Sequence, residues 1–220
     1  MHPSPRSVVV LSHDDVAHEL GPVGEWLDSH GATVTRVSRD SHIELPDADL
    51  LLVMGSPRSV ARGYCEQPQQ EEIEAVGRWI ADGRPCIGIC FGAQVIAKAL
   101  GGEVTRMDHT HRSYSTLETD VPELGGPWAL WHEDAISAPE TSHVHARVPH
   151  ADAVFSEGRA WGLQVHIEFT SDIVERLGQR MSVTDNDWRP LAESLQEETE
   201  NIGPRVASLL DLIWSRMNAA

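Results

Sequence analysis

The chain has 220 residues, 40 % of them hydrophobic and 23 % charged, enough for one core-bearing domain over residues 1–220. Its 34 acidic against 17 basic residues leave a net charge of −17, which argues against nucleic acid and against an anionic membrane surface as partners. No apolar run approaches the ~20 residues of a membrane span and residues 1–6 carry no secretory pattern, so the expected location is cytoplasmic.

Residues 7–11 read as a short buried strand, followed by a helix over about 23–30 that Gly31 ends. Residues 32–37 alternate like a second strand. The continuous apolar run at 48–54 suits a strand covered on both faces, as in a parallel sheet. Ile73, Val76 and Ile80 recur at helical spacing up to Gly83. Residues 85–89 form a fourth strand and 91–100 a helix that Gly101 and Gly102 stop. Strands alternating with helices predict an α/β fold, flavodoxin-like, with a mostly parallel central sheet and helices on both faces. Past Gly102, short alternating segments near 113–119, 128–131, 143–148, 154–156 and 160–165 predict a small mixed or antiparallel β section. Thr170, Ser171 and Asp172 have the chemistry of a helix start, and the C-terminal part is helical. There Val206, Leu209, Leu210, Ile213, Trp214 and Met217 make one apolar stripe, most simply core.

Cys90 ends an apolar strand and enters a helix at once, with Gly88 and Gly92 leaving room for a sharp turn. A side chain on such a turn projects above the sheet edge. Unpaired amides and the helix dipole at that point favour a thiolate. The Phe91 amide can face an oxygen bound beside the sulfur. Cys86 lies within the strand and suits a packed small hydrophobe, and Cys65 reads as an incidental loop thiol. The twelve histidines form no tight ligand framework with cysteine and read as scattered surface residues, so no metal is expected.

His166 and Glu168 follow an apolar strand at 161–166 and share a face at i and i+2. The carboxylate can hold one ring nitrogen while the other faces a thiol, giving a nucleophile, a base and an orienting acid.

The run Gly88-Ile89-Cys90-Phe91-Gly92-Ala93-Gln94 resembles the nucleophile motif Gly-x-Cys-x-Gly-x-Gln of the class I (triad) glutamine amidotransferases, and Gln164-Val165-His166-Ile167-Glu168 resembles their closing His-x-Glu. Leu52 to Pro57 is similar to their oxyanion strand, and Trp131-His132-Glu133-Asp134 to their Trp-His-Gly-Asp segment. In chain order these cover roughly residues 7 to 180, and the closest likeness is to free-standing amidotransferase-like proteins. The resemblance implies that Cys90 attacks the glutamine side-chain amide, that His166 and Glu168 complete a triad, and that the amides of Ser56 and Phe91 hold the oxyanion. It further implies substrate contacts from Gly55, Gln94, His132 and Glu133, no cofactor, and ammonia passed to a separate synthetase or acceptor enzyme. The alternatives are a γ-glutamyl hydrolase acting on another γ-glutamyl amide, and a catalytically silent regulatory relative. Ser56 and Glu133 stand where the family has glycine, Ala153 where glutamine is frequent, and Ile167 where proline is common. An added acid at 133 is expected to repel an anionic substrate group.

Overall fold

The computed structural model of the chain describes residues 4–61 and 67–219, so Cys65 lies outside the described residues. Strands β1 (Ser7–Ser12), β2 (Thr33–Ser38), β3 (Leu50–Val53) and β4 (Cys86–Ile89) are joined through α1 (Gly21–Ser29), α2 (Gln67–Ala81) and intervening loops. They pair in parallel, and β10 (Ala160–Leu163) continues the parallel set beside β4. Antiparallel β9 (Ala151–Glu157), β8 (His143–Val148) and β6 (Glu118–Thr119) extend the same sheet, giving the order β2-β1-β3-β4-β10-β9-β8-β6.

Alternation along each strand explains why these runs are apolar throughout. Val8, Val10, Leu50, Leu52, Ile87 and Ile89 face one core with Trp26 and Leu27 of α1 and with Val206, Leu209, Leu210 and Ile213 of α6 (Thr199–Met217). Val9, Leu11, Leu51, Val53 and Cys86 face the other, against Val76 and Trp79 of α2 and Val95 and Ile96 of α3 (Phe91–Ala99). The C-terminal stripe is therefore core, as its spacing predicts. Among the described residues no helix is long and apolar enough to cross a membrane.

The β section beyond Gly102 divides in two. Part of it extends the main sheet, and the rest is a separate antiparallel ribbon of β5 (Glu103–Thr116) and β7 (Pro127–Ser137), irregular between Arg106 and His111. The ribbon lies over the carboxyl ends of the parallel strands. Helix α4 (Ser171–Arg180) starts on Thr170, whose Oγ1 accepts from the Ile173 amide at 3.3 Å, and α5 (Asp185–Glu197) packs beside it. Met54 to Ser56, Cys90 and Gln164 to His166 thus leave their strands at one edge, where open α/β sheets bind ligands.

Candidate active site

Cys90 sits between β4 and α3 with φ 51° and ψ −105°, a backbone conformation that L residues rarely adopt. Its amide donates to Leu163 O at 2.7 Å and its carbonyl accepts from the Gln94 amide at 3.1 Å, so sheet and helix together fix the strained residue. The flanking glycines are required by contact. A Cβ on Gly88 would stand 2.4 Å from the Gly92 carbonyl, and one on Gly92 would stand 2.0 Å from Val53 O. Cys90, 5 % exposed, lines a solvent-open cavity whose wall also includes Ser56, Gln94, Trp131 and His166.

After β10 the chain leaves the sheet and pairs with the ribbon, His166 N donating to Ala129 O at 2.8 Å. His166 Nδ1 donates to Glu168 Oε1 at 2.7 Å, and its ring stacks on Phe169 with centroids 3.9 Å apart and planes at 12°. Nε2 lies 3.2 Å from Trp131 O, and Cys90 Sγ reaches the same carbonyl at 3.5 Å. Gln164 Nε2 donates to the sulfur at 3.6 Å. Burial opposes a charge on His166, but the Glu168 carboxylate and the Cys90 sulfur outweigh it and raise its pKa well above 6.5. The imidazole therefore holds a proton at neutral pH. Cys86 contrasts with this: wholly buried, its thiol pKa is pushed up by desolvation.

Neither Gly55 nor Ser56 has a positive φ, so a serine is accommodated at 56 without backbone strain. Ser56 Oγ is 2.8 Å from His13 Nε2 and accepts from the Arg58 amide at 3.0 Å, while His13 Nδ1 meets Asp40 at 2.8 and 2.9 Å. Phe91, first in α3, has its amide at the helix N-terminus.

Gln94 is buried and donates to Asp134 O at 3.4 Å. His132 Nε2 lies 3.0 Å from His150 Nε2, and burial pushes its pKa down to about 3. Arg106 pairs with the Glu133 carboxylate and Thr110 Oγ1 donates to it at 2.7 Å, contacts that offset the charge expected to repel an anionic substrate group. The histidines are not scattered over the surface. His13, His132, His145 and His166 are buried, and the rings of His111, His132 and His150 gather with centroids 4.4 to 5.6 Å apart. Among the described residues no group of three His, Cys, Asp or Glu is arranged to hold a metal ion.

Several cavity residues escape sequence reasoning. The Arg112 guanidinium lies over the Trp131 ring, 4.8 Å from its centroid, with its Nε buried and without a hydrogen-bond partner. Ser59 Oγ donates to Asp134 Oδ2 at 2.6 Å. The cross-strand pairing of Arg112 with Trp131 would have found the first, but β5 is too polar to be read as a strand along its length.

A cysteine sulfur, an imidazole and a carboxylate thus meet at the carboxyl edge of a parallel sheet. The family model for "Glutamine amidotransferase class-I" matches residues 23–176, and the chain belongs to that family. It is 30 % identical over 175 residues to "GMP synthase [glutamine-hydrolyzing]" of Thermus thermophilus, covering 70 % of this chain and 32 % of that protein. It thus spans about a third of the length of that relative. It is 27 % identical over 187 residues to the glutamine amidotransferase-like protein YfeJ of Salmonella typhimurium, covering 74 % and 78 % of the two chains. The crystal structure of a glutamine amidotransferase from Thermotoga maritima superposes with a TM-score of 0.83 at 20 % identity, covering 97 % of this chain and 99 % of that one, which establishes the shared fold.

Proposed function

We propose that the protein hydrolyses the side-chain amide of glutamine through a γ-glutamyl thioester on Cys90, releasing glutamate and ammonia. The observation that carries this reading is the convergence of Cys90 Sγ and His166 Nε2 on one carbonyl, with Glu168 behind the imidazole. With the thiol's proton carried on His166, sulfur bonds to the amide carbon. The negative oxygen that forms is held by the amides of Ser56 and Phe91. As the carbon–nitrogen bond breaks, His166 returns the proton to the departing nitrogen and ammonia leaves. Water then attacks the thioester, His166 takes its proton, and the thiol is restored as glutamate departs.

The amino-acid end of glutamine would rest against Gly55, Gln94 and the chain around His132 and Glu133. Arg112 supplies the cation for its α-carboxylate: partly desolvated and without a hydrogen bond to protein at Nε, it gains from an anionic partner. Arg112→Gln is expected to raise KM for glutamine about 10-fold or more with a smaller change in kcat. A separate acceptor enzyme would use the ammonia, in keeping with the likeness to glutamine-hydrolysing GMP synthases, and such chemistry would place the protein in the cytoplasm. A second reading, hydrolysis of a larger γ-glutamyl amide, draws support from the apolar far wall of the cavity at Ala17, Leu177 and Met181.

Intact-mass spectrometry after exposure to an electrophilic glutamine analogue tests nucleophile and pocket together, alongside assays of glutamate and ammonia. Cys90→Ala is expected to abolish labelling and nearly all hydrolysis, whereas Cys86→Ala chiefly lowers stability. Equal loss in both folded variants would contradict the assignment. Cleavage of other γ-glutamyl amides with glutamine inert would favour the second reading.

A further inference from the structure

Arg39 is 1 % exposed and its charge faces the interior, paired with the equally buried Glu72 of α2 at 3.0 Å. Taking two charges out of water is expensive, and a buried pair rarely stabilises more than apolar side chains of similar volume would. The location of this one points to another role. Arg39 Nη1 donates to Gly55 O at 2.6 Å and Nη2 to Met54 O at 2.8 Å, so the planar head grips two successive carbonyls. The same guanidinium lies 4.8 Å from the centroid of the Phe91 ring.

A trans peptide points its carbonyl and its amide hydrogen in opposite directions, and there is no cis peptide bond among the described residues. Drawing the Gly55 carbonyl back onto Arg39 therefore turns the Ser56 N–H away from the core, on a residue that lines the Cys90 cavity. That N–H has no hydrogen-bond acceptor among the described residues. His13 fixes the Ser56 side chain independently, itself held by Asp40.

We propose that Arg39 is a positioning residue for the oxyanion pocket, aiming the Ser56 amide from behind through the Gly55 carbonyl while bracing the residue that carries the Phe91 amide. The inference rests on the reading that Cys90 forms tetrahedral adducts at these two amides. An apolar side chain could fill the space but could not orient the peptide. Lysine could keep the charge but could not fork onto both carbonyls.

The test uses Arg39→Lys, which retains a cation for Glu72, and Arg39→Gln combined with Glu72→Gln, which removes both charges so that neither is left unpaired. Three quantities are read on protein shown to be folded by circular dichroism. They are kcat and KM for glutamine, the rate of Cys90 alkylation by iodoacetamide, and affinity for glutamate γ-semialdehyde. Alkylation displaces iodide at a saturated carbon and develops no oxyanion, whereas the aldehyde gives a hemithioacetal whose oxygen occupies the pocket. Loss of one such donor is typically worth about 10²-fold or more in kcat, so a fall of that order is expected. KM and the alkylation rate should stay within about 3-fold of the parent, and aldehyde affinity should fall with kcat. Folded variants that keep kcat and aldehyde affinity overturn the proposal. So does an alkylation rate that falls in step with turnover, because Arg39 would then act on the thiol or on the fold at large. A parent protein that alkylates readily but hydrolyses no glutamine refutes the proposed function instead. Aldehyde affinity then still decides the role of Arg39.

Discussion

The carbonyl of Trp131 is the meeting point of Cys90 and His166, and what distinguishes its two neighbours is charge. Glu168 raises the pKa of His166 against the opposing effect of burial. Removing that carboxylate has a definite sign. In Glu168→Gln the imidazolium loses its counter-charge, its pKa falls, and the alkaline limb of the kcat/KM profile moves to lower pH. Turnover drops by about 10²- to 10⁴-fold, the range seen when an orienting acid is neutralised. A pH–rate series on parent and variant measures both, and an alkaline limb that stays in place would assign it to another group. At this scale the sequence was informative where chemistry repeats in a short motif. Cys90, His166 and Glu168 could be picked out because each follows the end of an apolar strand, and the structure brings the three together. Arg39, Arg106 and Arg112 could not, since an arginine in a polar context gives no sign of whether its head faces water, a carbonyl or a cavity.

Elements were legible in proportion to their periodicity. The parallel strands and α1 to α3 carry runs of apolar residues at regular spacing, and the structure places them as read. Strand β5 was read only in its last residues, because Glu103–Thr116 pairs with a single neighbour and buries few of its side chains. The boundary between α5 and α6 was equally hidden, since Pro190 and Pro204 lie inside helices where they suggest breaks. Contacts between elements also reverse a local rule. Glycine to alanine within an exposed helix ordinarily stabilises by up to about 1 kcal/mol. A Cβ on Gly178 of α4, however, would stand 2.5 Å from the Trp188 indole of α5. Gly178→Ala is therefore expected to destabilise by roughly 1–3 kcal/mol, read as a lower denaturant midpoint with an unchanged slope.

Across the whole molecule, buried neutral histidines tie stability to pH. His145 stacks on Trp161, centroids 4.4 Å apart and planes at 6°, and bonds Ser156 Oγ at 2.8 Å. Burial, aided by His143 and Arg216, pulls its pKa to about 4, from an ordinary 6.5. Between those values the unfolded chain binds a proton that the folded chain refuses, so stability rises with pH across that window and is lost on acidification. His145→Gln, which keeps a partner for Ser156, should flatten this dependence in urea midpoints taken from pH 7 to pH 4. An unchanged slope would assign the acid sensitivity to other groups, His132 first among them.

The cation at Arg39 gathers segments far apart in the chain: the end of β2, the loop after β3, Glu72 of α2 and the head of α3. A collapsed intermediate lacking any one of these would leave a bare charge in oil, and such species do not persist. The site should therefore assemble together with the fold. During refolding, helical ellipticity and turnover should return on one time course, and a lag of turnover behind ellipticity would contradict this.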